Sequence, residues 1–108
     1  MIHELRRYQT LPGNLPGLLE LLEAKLLPIA CRYGTLRGCW TPVSGTMNTV
    51  MFLWEYESIE ERIAKRAALA RDPDWLAIAE EAAGYLIEQQ GEFIAPVPFL
   101  AEAPCASL

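Results

Sequence analysis

The chain has 108 residues and a mass of 12.1 kDa, with 52% hydrophobic and 21% charged residues, which suffices for one buried core and excludes a disordered chain. Nine basic against fourteen acidic residues leave a net charge of -5, which argues against a nucleic-acid partner, because neutralising phosphates takes a clustered basic surface. Apolar runs are interrupted by charge or proline well short of the roughly 20 residues a membrane helix needs, and the N-terminus reads as strand, so a cytoplasmic protein without a membrane partner is expected.

Ile2 to Thr10 mixes β-forming residues with charges and stops at Leu11-Pro12-Gly13, which predicts a first strand. From Asn14, Leu15, Leu18, Leu19, Leu22, Leu26, Ile29, Ala30 and Tyr33 recur at helical spacing, so an amphipathic helix runs to Gly34. Pro28 lies inside it and removes a backbone donor, which predicts a kink or local break between Lys25 and Pro28. Thr35 to Val43 and Asn48 to Glu57 read as a hairpin turning at Ser44 to Met47. In its second strand Val50, Phe52, Trp54 and Tyr56 alternate with Met51 and Leu53, so both faces of that strand are apolar.

Ser58-Ile59-Glu60-Glu61 has the form of a capping box and opens a second helix whose apolar side runs through Ile59, Ile63, Ala67 and Ala70. Asp72 and Pro73 restart the chain as a helix to about Ala83, and a fourth strand centred on Phe93 to Ala95 follows Gly84. Residues 1–100 then form one domain, and residues 101–108, rich in Pro and Ala, a flexible tail.

The order β-α-β-β-α-β is that of an α+β, ferredoxin-like plait, in which helices cover one face of the sheet. An apolar second face is most economically closed by the same face of another copy, so the chain is expected to form a homodimer, a dimeric α/β barrel. The charge distribution bears on the same contact: no basic residue follows Arg71, whereas Asp72, Asp74, Glu80, Glu81, Glu88, Glu92 and Glu102 do. Such a segment either meets an Arg-bearing surface of a partner subunit or simply solvates exposed faces.

Cys31, Cys39 and Cys105 lack the spacing of a metal or redox site and read as free thiols, the first two buried and the third exposed. No Gly-rich phosphate loop or nucleophile elbow is present, and one histidine per chain cannot build a His-rich metal site, so neither a cofactor nor a metal is expected. His3 is the single histidine, either satisfied within the sheet or serving as a base or haem ligand. Glu4, Arg6 and Tyr8 share one face of the first strand. They form either an anion clamp, with Arg6 holding charge and Tyr8 facing a developing oxyanion, or an ion pair that fixes dimer register, and Glu55 can join either arrangement. Trp40, Trp54 and Tyr56 offer flat amphipathic surface suited to an aromatic or conjugated ligand, or else to a core, while Trp75 reads as packing. Arg62 and Arg66, one helical turn apart, read as a solvated face.

Taken in order, Glu4-Leu5-Arg6 with Tyr8, Gly13, Arg32-Tyr33-Gly34, Gly38 with Trp40, Gly45, Asn48, Leu53-Trp54 with Tyr56, Arg62, Arg66, Leu69, Asp72, Trp75 and Pro96-Val97-Pro98-Phe99 resemble the NIPSNAP family over about residues 1–100. Phe52 stands where members of that family often carry His, so chemistry resting on that imidazole is not carried over. The resemblance implies a ferredoxin-like protomer, a homodimer, and a small pocket between sheet and helices. Relatives by fold include cofactor-independent monooxygenases, haem-degrading enzymes, chlorite dismutase-like proteins and muconolactone isomerase-like enzymes, and fold does not choose among them. Two functions follow as expectations. One is a protein that binds a small aromatic or acyl metabolite, with any monooxygenase, isomerase or cyclase step using Arg6 and Tyr8 as stabilisers and His3 or Glu4 as base. The other is a non-catalytic dimeric binding or interaction protein.

Overall fold

The computed structural model describes residues 1–101; of the tail expected over 101–108, Ala101 belongs instead to a terminal helical turn, and 102–108, with Cys105, lie outside the described residues. Its strands are β1 (Ile2–Thr10), β2 (Thr35–Trp40), β3 (Thr49–Tyr56) and β4 (Leu86–Ile94). They form one antiparallel sheet in the order β2-β3-β1-β4, so the first strand is central, as the plait requires. β2 is shorter than its sequence suggests, because residues from Thr41 onward leave the ladder, and β4 begins earlier, at Leu86, because its polar residues lie on a sheet edge where water satisfies them.

The first helical stretch has three parts: α1 (Leu15–Leu21), a π-helical turn (Leu22–Leu26) and α2 (Leu27–Ala30). Asn14 stands at the start, but its side chain caps nothing. The π turn, in which the Leu27 amide donates to the Leu22 carbonyl, takes up the interruption expected near Pro28. A proline ring would crowd the Ala24 carbonyl in a regular helix, and a wider turn relieves that clash.

Two further helices complete the layer: α3 (Ile59–Arg71) and α4 (Pro73–Ala83), with a single terminal turn, α5 (Pro98–Ala101), after them. Ser58 caps α3 by accepting from the Glu61 amide at 3.1 Å, while the Glu61 carboxylate reaches the Glu57 amide at 3.0 Å rather than that of Ser58. Asp72 caps α4 through the Asp74 amide at 2.8 Å. The core lies between helices and sheet, built from Leu18, Leu21, Leu22, Leu26 and Ile29 against Val50, Phe52, Trp54 and Tyr56, with Leu69 and Ile78 closing it from α3 and α4.

α3 is rotated about a quarter turn from the orientation that its apolar stripe predicts. Ile59 is 39% and Ile63 58% exposed, and Ala67 and Ala70 are also exposed, whereas Arg62, Arg66 and Leu69 face inward. The cause is Glu4, only 3% exposed, whose charge would be costly to bury alone and is met by Arg62. The cysteine expectation also fails: Cys31 and Cys39 are exposed, one where α2 ends and the other on edge strand β2.

Candidate functional site

Strand alternation and register divide the site residues between two faces. Glu4, Arg6, Tyr8, Phe52, Trp54 and Tyr56 point toward the helices, while His3, Arg7, Trp40, Met51, Leu53 and Glu55 belong to the opposite, uncovered face. The Trp40 ring lies over Gly38, at a spot where a β-carbon would collide with it. His3 Nε2 is 3.4 Å from Glu55 Oε1, and Arg37 donates to Glu55 Oε2 at 2.7 Å. That hydrogen bond, against a smaller opposing effect of burial, holds the Glu55 carboxyl below the ordinary range. Glu55 is therefore part of the His3 and Arg37 group and does not join Glu4, Arg6 and Tyr8.

On the helix-facing side one carboxylate meets two guanidiniums. Arg6 Nη1 donates to Glu4 Oε2 at 3.2 Å, and Arg62 donates to the same carboxylate through Nη2 at 3.0 Å and Nε at 3.3 Å. Gly91 opposite Arg6 makes room for this group, since a β-carbon there would stand 3.3 Å from Glu4 Oε2. Arg6 reaches further, donating from Nε to the Tyr8 hydroxyl at 3.3 Å and from Nη2 to Gln89 Oε1 at 3.4 Å. Burial works against the Arg6 charge, but Tyr8 and Glu4 outweigh it and raise its pKa. Burial likewise pushes the Tyr56 phenol up, aided by Glu4 and opposed by Arg66, Arg62 and Arg6.

Beside this group lies a cavity of about 130 Å³ between the sheet and the helices. Leu22 and Leu26 of the π turn line it together with Phe52 and Trp54 of β3 and Trp75, Ala79 and Ala82 of α4. π turns recur at functional sites, and this one supplies two of the leucines that line the cavity. Tyr8 stands at the sheet side, its ring 4.9 Å from that of Phe52, and Arg66 and Gln89 supply the remaining polar lining.

Of the residues singled out by sequence, Tyr8 and Trp54 line this cavity. Arg6 stands behind Tyr8 and orients it, Glu4 is held by Arg6 and Arg62, and Tyr56 is buried outside the lining. His3 and Trp40 are on the other face. Arg66, Gln89, Trp75 and Phe52 line the cavity without having been read as ligand-facing. The spacing of Trp75, Ala79 and Ala82, large then small along one side of a helix, is the sequence signal that marks such a hollow. Among the described residues no group of three or more His, Cys, Asp or Glu side chains is gathered to hold a metal ion.

These features can be set beside known proteins. The NIPSNAP family profile matches residues 3–101. The human protein NipSnap homolog 3A is 33% identical over 76 residues, which is 69% of this chain and 30% of that protein, so the chain spans about a third of its length. The crystal structure of an uncharacterised NIPSNAP domain protein from Burkholderia xenovorans superposes with a TM-score of 0.89 at 39% identity, covering 92% of this chain and 97% of that one. A Nitrosomonas europaea protein of the antibiotic biosynthesis monooxygenase type shares the fold alone, with a TM-score of 0.67 at 9% identity over 90% of this chain and 99% of that one. A family match that runs from the first strand to the terminal turn, on the same arrangement of sheet and helices, places the chain in the NIPSNAP family.

Proposed function

We propose that this chain binds a small aromatic or acyl metabolite in the cavity between the sheet and the helices. The observation that carries this reading is the cavity itself, an apolar hollow of about 130 Å³ with a few polar groups at one side, the usual composition of a small-molecule site. An apolar cavity of about 150 Å³ accommodates a benzene ring, so the space suits one ring or a short branched acyl body. Tyr8, fixed by Arg6, is suited to donate to a carbonyl or developing oxyanion, which would serve a cofactor-free step as well as binding.

The uncovered face of the sheet supports a second element of the proposal, a homodimer. Leu5, Met51 and Leu53 lie there, with Trp40 51% and Ile94 42% exposed, an apolar group that a second copy would cover. A dimer that binds no metabolite is the competing function.

Native mass spectrometry of the protein offered a panel of aromatic and short-chain acyl compounds tests both elements. The expected spectrum is twice 12.1 kDa plus one adduct mass per occupied subunit, with the adduct lost in the cavity-filling variant Ala79→Phe. A dimer that takes up none of the compounds would favour the competing function, and a monomer would remove the barrel.

A further inference from the structure

We infer that the ligand of this cavity is a monocarboxylate, held by Arg66 with Tyr8 and Gln89, and that its apolar body is about one aromatic ring in size. The inference rests on the ligand-site reading above and adds the chemistry of the head group.

The first ground is hydrogen-bond polarity. Arg6 has only donors to give, and it uses them on the Tyr8 hydroxyl oxygen and on Gln89 Oε1. Contact with Arg6 fixes the Gln89 amide with its oxygen toward the guanidinium, which leaves its N–H₂ for a ligand, just as the Tyr8 O–H is left. Arg66 and the indoles of Trp54 and Trp75 also bear donors and no acceptor. A cavity whose available polar groups donate selects a molecule whose polar end accepts.

The second ground is charge. Arg6 and Arg62 share Glu4, Arg32 is paired with Asp72 and Asp74, and Arg37 with Glu55. Arg66 is half-buried, lines the cavity, and makes no ion pair or side-chain hydrogen bond among the described residues. Among the described residues, no carboxylate lines the cavity. Arg6, Arg62 and Arg66 all act on Tyr56 from close by, and Glu4, the carboxylate that acts on it with them, is already taken by Arg6 and Arg62. An anionic ligand would give Arg66 its counter-charge in the planar, bidentate geometry that guanidinium favours.

The experiment is a fluorescence titration read through Trp54 and Trp75, with benzoate, its neutral isostere benzamide, and toluene as probes. Benzoate is expected to bind saturably and on the order of tenfold tighter than benzamide, as a charge-assisted pair in a partly dry site should. Arg66→Gln should abolish that preference while leaving toluene and benzamide binding in place, and Arg66→Lys, which keeps the charge, should retain most of it. Equal affinity for benzoate and benzamide, or a preference that survives Arg66→Gln, overturns the inference while bound toluene leaves the ligand-site reading standing. If none of the three probes binds, both fall.

Discussion

Glu4 carries a buried charge on the helix-facing side of β1. A carboxylate that is 3% exposed must be matched, and Arg6 and Arg62 match it from the neighbouring position on its own strand and from α3. The pairing of Glu4 with Arg6 is legible from strand alternation alone, whereas Arg62 is not, because nothing local says that a helix 58 residues away turns its arginines inward. Asp72 is the comparable residue at the helix ends. It accepts from the Tyr33 hydroxyl at 2.6 Å, the Asp74 amide at 2.8 Å and Arg32 at 3.0 Å. The Tyr33 hydrogen bond first, then the Asp74 amide and Arg32, hold its carboxyl below the ordinary range against an opposing effect of burial. A depressed carboxyl adds stability that is complete above the unfolded value, near 4, and is lost as pH falls through the lower native value. Asp72→Asn should therefore melt below the parent at neutral pH, with the gap narrowing once pH falls below the unfolded value, about 4. A gap that stays constant through that fall in pH would mean the charge of Asp72 contributes nothing.

At the scale of elements, period and position part company in α3. Its apolar stripe of Ile59, Ile63, Ala67 and Ala70 predicts one orientation, and the helix is rotated about a quarter turn from it, which brings Arg62 onto the buried Glu4 and Leu69 into the core at the expense of exposing Ile63. Leu69, 3% exposed, is the residue that carries the packing of this helix. Leu69→Ala should cost about 2–5 kcal/mol, while Ile63→Ala should stay within about 0.5 kcal/mol, as read by urea denaturation. Equal costs would put the helix back on its stripe. The caps at Ser58 and Asp72 were legible because capping is a local contest between a side chain and nearby amides. The π turn was legible only as a disturbance near Pro28: proline announces that a hydrogen bond is lost, and the surrounding leucines determine how the backbone absorbs it.

For the whole molecule, the order of strands and helices follows from the chain, and the sheet with β1 at its centre is the arrangement that the order implies. The cavity was less accessible to sequence. A hollow is the space between side chains from many separate elements, so Trp75, Ala79 and Gln89 acquire meaning only once α4 and β4 are set against β1, β3, α3 and the π turn. Register also separates aromatic residues that sequence groups together: Trp54 faces the cavity and Trp40 the uncovered side of the same sheet. This separation gives the central claim a direct test, because the three tryptophans each contribute one indole N–H resonance. In a ¹H–¹⁵N correlation spectrum recorded with increasing benzoate, the indole signals of Trp54 and Trp75 should move together and saturate, and that of Trp40 should stay in place. Movement confined to Trp40, or no movement at any of the three, would contradict a ligand site between the sheet and the helices.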